Sequence, residues 1–529
     1  MRSEIFVLIF LLCPLASPVE FSKPDQIIEV FRHGARGPFI GFDKSWEKSQ
    51  KGKLTPAGMK QHYELGKSLF NDYPHLFDAS QGTDGLYILA NAHSRCVQSA
   101  FFQRAGLYSK TLTSLYKESS PKVLSFQDFF AKQASFLEIE DHFKTSEDLE
   151  WPQIQEVDES NAKIFQRGSL CPNGWKWEKE NHNDTKALEA WTIFKDTIES
   201  VRENLPSTIR FKNSFDLNII ADAMMVNIYH NKSLLPLGVI NEEVARNMTF
   251  AYSWFVFHNQ YGRKVQRQLA AYPIVDEILG HLEAFRRGDK NHKRAALYSG
   301  HDYNIFAILG AFGVISEDCI MANFQSTIAN ETLPYPNCYF PYFASNLVFE
   351  FYNQTGGGEA YVRLLYNNNS VTLCGEQDFC PYEDFVIFAR DSIGNLTPET
   401  YETACGKTAE ENTEELLSSK PGDEIEKLKQ EEGQKKNTIA SLLAGDDNKI
   451  PSSQVVLRLN ERMKVSQITD GTTSSILVIV VGWVALSALI CFAIKSNTKS
   501  FRLHPKLDKK FKKKTSFDLE SPDFEVKVH

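Results

Sequence analysis

Short apolar runs alternate with longer stretches of helical period at both ends of this 529-residue chain. DQIIEVF (Asp25–Phe31) is an apolar run of strand length. LTPAGMKQHYELGKSLFNDY (Leu54–Tyr73) sets Leu65, Leu69 and Tyr73 four residues apart behind Thr55-Pro56, which predicts a capped amphipathic helix. GLYILAN (Gly85–Asn91) predicts a second strand and RCVQSAFFQRAGLYSKTL (Arg95–Leu112) a second helix. RAALYSG (Arg294–Gly300) predicts a third strand, followed by the apolar YNIFAILGAFG. NLVFEFYN and YVRLLYN, on either side of Gly356–Gly358, predict a hairpin. Strand–helix alternation of this kind predicts an α/β domain built on a sheet.

Between these ends, from about residue 125 to 260, the pattern changes. Trp and Phe are frequent, and charged helical windows such as TKALEAWTIFKDTIESVREN appear, so a mostly helical cap inserted in the sheet domain is expected. Residues 406–474 turn polar, with Glu/Lys windows such as DEIEKLKQEEGQKK, and read as a stalk. Two further segments read as targeting and anchoring. Arg2 and the short apolar IFVLIFLLC, then small residues, predict a signal peptide over 1–17. Residues 475–494, SILVIVVGWVALSALICFAI, are uncharged over the length that crosses a bilayer. Lys495, Lys499, Arg502, Lys506 and the run Lys509–Lys514 follow in the tail 495–529, which predicts a single-pass type I protein with its body outside or in a lumen.

Charge and cysteine usage sharpen that picture. The net charge is −9, and the tail holds ten Lys/Arg against five Asp/Glu, so the rest of the chain carries −14. An acidic body excludes the basic footprint of a nucleic-acid binder, and an anionic substrate would need a local basic pocket. Seven N-x-S/T sequons, at Asn183, Asn231, Asn247, Asn330, Asn353, Asn368 and Asn395, all precede the span and are candidate glycosylation sites. Seven cysteines also lie in the body, an odd number, so an oxidising compartment would leave at least one thiol.

The candidate chemistry sits at strand ends. The three leading strand candidates run into RHGARGP, NAHSRC and SGHDYN. Ligands of α/β sheets gather at the carboxyl ends of strands, so these loops are expected to bring Arg32, His33, Arg36, Arg95, His301 and Asp302 round one point. Guanidiniums bind phosphate oxygens bidentately, and three of them with an imidazole form an oxyanion site. Gly34 is expected to let the backbone turn and approach the anion. His62 reads as a helix-face residue, and His93 as an extra titratable group without a role.

RHGARGP resembles the R-H-G-x-R-x-P signature of the histidine acid phosphatases, the branch of the histidine phosphatase superfamily that contains lysosomal and prostatic acid phosphatases and phytases. LTPAGMKQHYELG, YSGHD and CGEQDFCPYEDF resemble the family's following helix, its late His-Asp motif and its C-terminal C-x(n)-C-P element, in the family's order over residues 25–405. The resemblance implies a domain over 18–405 with a central mixed sheet flanked by helices, of the phosphoglycerate mutase-like kind. It implies His33 as a nucleophile forming phosphohistidine, Arg32, Arg36, Arg95 and His301 on the phosphoryl oxygens, and Asp302 as the proton donor to the leaving alcohol. It implies no metal or other cofactor, a small phosphomonoester substrate, and leaves a homodimer open. It also implies the disulfides Cys374–Cys380 and Cys171–Cys405. Cys319 and Cys338 are then left to each other by elimination, and Cys96 stays a thiol.

One departure stands out. The family's middle arginine usually follows an aspartate, whereas Ser94 precedes Arg95 here, so Arg95 is expected to have different orienting partners. Rival readings are an inositol polyphosphate phosphatase of the phytase kind, a mutase of the wider superfamily, and a non-catalytic receptor-like ectodomain. Retention of His33, Arg36 and Asp302 speaks against the last, and the exported context against the mutase. The tail contains no tyrosine, so it lacks the tyrosine-based sorting signal of the lysosomal relative, and a cell-surface or a lysosome-like membrane both fit.

Overall fold

A computed structural model of the chain describes residues 23–406 apart from 41–45, 79–81, 110–151, 158–162, 166–170, 206–208, 210, 231–241, 354–358 and 376. The expected signal peptide, nearly all of the stalk, the membrane span, the basic tail and the sequon at Asn231 lie outside the described residues. Among the described residues, no helix is long and apolar enough to cross a membrane.

The first half of the sheet is parallel. Strands β1 (Gln26–Arg32), β2 (Leu86–Asn91), β3 (Ile154–Val157) and β4 (Ala295–Gly300) lie in the order β3-β2-β4-β1. The second half is antiparallel, with β5 (Asn346–Tyr352), β6 (Tyr361–Tyr366) and β7 (Asn369–Val371) continuing from β1, and β8 (Phe379–Pro381) also pairing with β6. The sheet is therefore mixed, and β5–β6 is the expected hairpin. β1 lies at its centre and is buried on both faces. Its side chains alternate: Ile27 and Phe31 pack with Leu69 and Ala100, while Ile28 and Val30 join a much larger cluster on the other face.

Helices α1 (Pro56–Asp72) and α2 (Ser94–Leu107) cover the first face. Their backbones meet at glycines: a Cβ on Gly66 would lie 2.0 Å from the Gln103 carbonyl oxygen, and one on Gly106 2.1 Å from that of Tyr63. α1 begins as expected, with Thr55 as its N-cap and Pro56 in its first turn. The other face carries α8 (Lys264–Arg286) and α9 (Asp302–Ala311). The stretch expected as a cap contains β3, a strand of the sheet, and the helices inserted lie between β3 and β4: α3 (Pro172–Asn181), α4 (Thr185–Ile193), α5 (Lys195–Glu203), α6 (Ser214–Tyr229) and α7 (Glu242–Tyr261). α10 (Glu317–Ile328), α11 (Tyr382–Ser392) and α12 (Pro398–Cys405) complete the described elements.

Three disulfides staple these pieces. Cys171–Cys405 joins the start of α3 to the end of α12, Cys319–Cys338 ties α10 to the loop before β5, and Cys374–Cys380 closes the turn before β8. Closing a loop with a sequence separation of 234 restricts the unfolded chain most.

Where the elements differ from the sequence reading, tertiary contacts are the cause. The window TKALEAWTIFKDTIESVREN is two helices, because Phe194 leaves the helical path to be buried against Phe324 and Phe255. α2 ends at Leu107, ahead of the expected Leu112. β3 escaped notice because IQEV is a half-exposed edge strand with little apolar signal, and β7 and β8 are too short for any period. Of the sequon asparagines, Asn183, Asn330, Asn353, Asn368 and Asn395 are exposed, and Asn247 is half-buried within α7.

An ionic cluster links the inserted helices to α10. His258 of α7 is 3% exposed and stacks on Trp254. Its Nδ1 lies 2.7 Å from Glu317 Oε1 and its Nε2 3.0 Å from Asp184 Oδ1, while Lys186 reaches the other Glu317 oxygen at 2.8 Å. Two carboxylates can each accept only if both ring nitrogens carry protons. Burial opposes that charge, yet the bonds and charges of Glu317 and Asp184 raise the imidazole above its ordinary 6.5. Burial likewise opposes the Glu317 carboxylate, but His258 and Lys186 bring it below its ordinary 4.5. A raised histidine stabilises fully below its unfolded value and loses that contribution as pH rises through the folded one. A lowered carboxylate contributes above its unfolded value and loses it as pH falls through the folded one. The cluster is thus strongest between 4.5 and 6.5. His258→Gln is expected to lower the urea midpoint most near pH 5.5, with the difference from the parent shrinking towards about pH 8, measured by denaturant titration across that range.

Candidate active site

The strand order brings the three expected loops together. β4 lies between β2 and β1, with Arg32 opposite Gly300 and Ala90 opposite Ser299, so three carboxyl ends stand side by side. Arg32 closes β1, His301 follows β4 as the N-cap of α9, and Arg95 sits in the first turn of α2. All six candidate residues converge there.

His33 is 3% exposed, and its Nδ1 lies 2.9 Å from the Gly34 carbonyl oxygen. A carbonyl can only accept, so Nδ1 carries the proton and Nε2 keeps the lone pair. Burial first, then the charges of Arg95, Arg32, His301 and Arg36, hold the imidazole well below its usual value. The ring stands edge-on to that of His301, with centroids 5.4 Å apart.

The three arginines are held differently. Arg32 is 1% exposed; its Nη1 donates to the Pro341 carbonyl at 2.6 Å, its Nη2 pairs with Asp302 Oδ2 at 2.9 Å, and its guanidinium lies 4.4 Å from the Phe343 ring centre. Arg36 is bidentate on Asp222, with Nη2 to Oδ1 at 2.6 Å and Nη1 to Oδ2 at 3.2 Å, beneath the exposed ring of Phe39 at 4.0 Å. Arg95 has no carboxylate partner within ion-pair distance among the described residues. Its Nη2 lies 3.4 Å from His301 Nδ1, and burial lowers its affinity for a proton. The absence of an aspartate before Arg95 therefore shows in the geometry: the middle arginine leans on an imidazole. Aromatic faces and carboxylates offset the cost of burying these cations.

Several groups were not legible in the sequence. Asp222 comes from α6, and nothing in its local pattern pairs it with an arginine 186 residues away. His62 is fully buried rather than an ordinary face residue; its Nε2 lies 3.1 Å from the Arg32 carbonyl and its Nδ1 3.1 Å from Gln103 Oε1. Burial lowers it to about 4, so it is a neutral support for the end of β1. Behind it, Glu29 accepts from Gln103 and from Asn346, and burial pushes its carboxyl up to about 7. Cys96 lies outside the disulfides and is buried; its thiol donates to the Gly300 carbonyl at 3.3 Å and sits 3.5 Å from His301 Nε2. His93 caps α2 and faces His301 edge-on at 5.4 Å.

Gly34 has a reason in packing beside the turn that was expected of it. It is not among the residues of positive φ, but a Cβ there would lie 2.4 Å from the Gly58 carbonyl oxygen. The loop is pressed onto the start of α1, where Ala35 N donates to Gln61 Oε1 at 2.8 Å and Thr55 N and Oγ1 both donate to the Ala35 carbonyl at 3.0 Å. Gly34→Ala is expected to push the loop off α1, at a cost of about 1–3 kcal/mol, and to shift His33 with it. Thermal unfolding and kcat/KM should fall together, the latter by about tenfold or more.

The arrangement can therefore hold a tetrahedral oxyanion against a neutral imidazole nitrogen, with a carboxyl group beside it. Among the described residues no group of His, Cys, Asp or Glu is arranged to hold a metal ion. The lysosomal acid phosphatase of Xenopus laevis is 22% identical over 426 residues, covering 78% of this chain and 85% of that protein. The prostatic acid phosphatase of Mus musculus is 23% identical over 417 residues, covering 76% and 94%. Among solved structures, a Hafnia alvei phytase in complex with myo-inositol hexakis sulphate superposes with a TM-score of 0.49 at 14% identity, over 74% of this chain and all of the other. The family described as the histidine phosphatase superfamily (branch 2) matches residues 42–367, a span that begins just after the RHGARGP loop and runs through the late His-Asp pair. With that match over more than half of its length, the chain belongs to branch 2 of the histidine phosphatase superfamily.

Proposed function

We propose that the protein is an acid phosphatase that hydrolyses phosphate monoesters through a phosphohistidine at His33. The observation that carries this reading is the His33 ring itself: its proton is held at Nδ1 by the Gly34 carbonyl, it is kept neutral by burial and cations, and it lies among three guanidiniums. Nε2 attacks phosphorus as the ester P–O bond breaks, and Arg32, Arg36, Arg95 and His301 take the charge on the phosphoryl oxygens. A phosphoryl oxygen takes the place of Asp302 on Arg32, the proton of the acid-form ester passes to the freed carboxylate, and Asp302 gives it to the leaving oxygen. Water then attacks phosphorus, its proton passes to Asp302, and the N–P electron pair returns to Nε2.

Family membership and similarity to lysosomal and prostatic acid phosphatases support this reading. Among the described residues, the groups added round the motif side chains are Asp222 and the rings of Phe39, Phe340 and Phe343 rather than further cations. That favours a singly phosphorylated substrate over an inositol polyphosphate. The signal-like start, the sequons and the apolar run 475–494 support a glycosylated, membrane-anchored protein whose domain faces a lumen or the outside. Its similarity to a lysosomal acid phosphatase favours a lysosome-like setting.

Hydrolysis of p-nitrophenyl phosphate by the purified full chain is expected to peak at acid pH and to be indifferent to EDTA, since guanidiniums supply the positive charge. His33→Ala should lower kcat about a thousandfold or more; full activity in that variant would sink the mechanism, and loss of activity in EDTA would point to a metal phosphatase. Asp302→Asn should be selective. It is expected to slow alkyl phosphates by about a hundredfold but nitrophenyl phosphate much less, because only the poor leaving group needs the proton. Equal losses on both substrates would remove Asp302 from the acid role.

A further inference from the structure

Among the described residues, Asp222 is the one carboxylate at the site that none of the motifs supplies. It is 6% exposed and is fixed by more than its own contact. Along the same helix Asn227 Oδ1 accepts from Trp46 Nε1 at 2.9 Å, and just past the helix end His230 Nε2 lies 2.8 Å from Thr55 Oγ1. α6 therefore grips the loop between β1 and α1 at three points, and Asp222 is delivered to Arg36 by a rigid element. The pair is bidentate and buried, and Arg36 Nε has no hydrogen-bond partner among the described residues.

We infer that Asp222 is a positioning residue for Arg36 that also sets the charge of the phosphate site, matching it to the monoanion of a phosphate ester rather than the dianion. The inference rests on the acid phosphatase reading. Among the described residues three guanidiniums face two carboxylates, and each carboxylate neutralises one of them: Asp302 pairs with Arg32 and Asp222 with Arg36. Arg95 is left as the cation without an anionic partner among the described residues. A phosphate monoester carries one negative charge below its second pKa, about 6, and two above it. A site with one uncompensated positive charge complements the form that exists in acid.

The other groups facing Asp222 leave this balance in place. Arg32 and Arg36 come from the end of β1 and its loop, Asp302 from α9 and Tyr252 from α7. Tyr252 is a buried phenol, raised by burial and then by Asp302 and Asp222, so it adds a neutral hydroxyl and no charge. His33 is neutral for the reasons given above. His301 and His93 stand beside Arg95, with Arg95 Nη2 3.4 Å from the His301 Nδ1 that accepts from it.

Asp222→Asn keeps the shape of the side chain and removes its charge. In this variant KM for an aryl phosphate is expected to fall about tenfold near pH 7.5 and much less near pH 5, and the optimum of kcat/KM is expected to move upwards. Inorganic phosphate should also raise the thermal midpoint of the variant more than that of the parent, by a margin that grows with pH. Asp222→Glu, which retains the charge, should keep the parent's pH dependence of KM. Unchanged KM and phosphate stabilisation in Asp222→Asn at both pH values overturn the inference, as does a Glu variant that behaves like the Asn one. Should the Asn variant not fold, the unaltered protein still decides. At matched ionic strength its stabilisation by inorganic phosphate should decline between about pH 5 and about pH 7.5, and an increase overturns the charge match. The thermal measurement needs no turnover, so it is separable from the p-nitrophenyl phosphate assay that tests the enzyme reading.

Discussion

Burying three guanidiniums beside one imidazole is the constraint on which the site depends. Each cation taken from water costs several kcal/mol unless something replaces its hydration. The protein uses three kinds of replacement. Carboxylates pair with Arg32 and Arg36, aromatic faces lie over the same two side chains, and carbonyls of Pro341 and Gly37 accept from their ends. The cations also act on His33: with burial, they keep its ring neutral and therefore nucleophilic in acid.

The sheet explains why so much charge can meet at one place. Parallel pairing of β1 with β4 and of β4 with β2 aligns three strand ends, and the register puts Arg32 level with Gly300. Behind that line, neutral His62 and the Glu29–Gln103 contact fill the polar needs of a strand buried on both faces. Gly34 and Gly58 then let the β1 loop lie directly on α1. Precision at His33 is thus inherited from packing beneath it.

Much of this was legible in the sequence. Strands with continuous apolar runs, such as Ile27–Phe31 and Ala295–Tyr298, announced themselves because burial on both faces leaves no polar alternation to confuse the pattern. The cap of α1 at Thr55-Pro56 is a local signal and was read where it lies. Short edge strands such as β3, and the break at Phe194, depend on distant partners and carry no local mark. Gly34 was readable as important, but its close approach to Gly58 was not, since that exists only once α1 has docked.

By itself the sequence determined the residue types of the chemistry and their attachment to strand ends, because Arg32, His33, Arg36, His301 and Asp302 sit in compact motifs. The disulfide pairing it left as an expectation, two bridges from resemblance and the third from elimination, and the structure shows these three. Tertiary structure alone decided which charges neutralise which. Asp222 reaches Arg36 across 186 residues, and Arg95 turns to His301 in place of a neighbouring aspartate. Electrostatic pairing acts through space over a few ångströms, whereas sequence patterns report only what lies a few residues away.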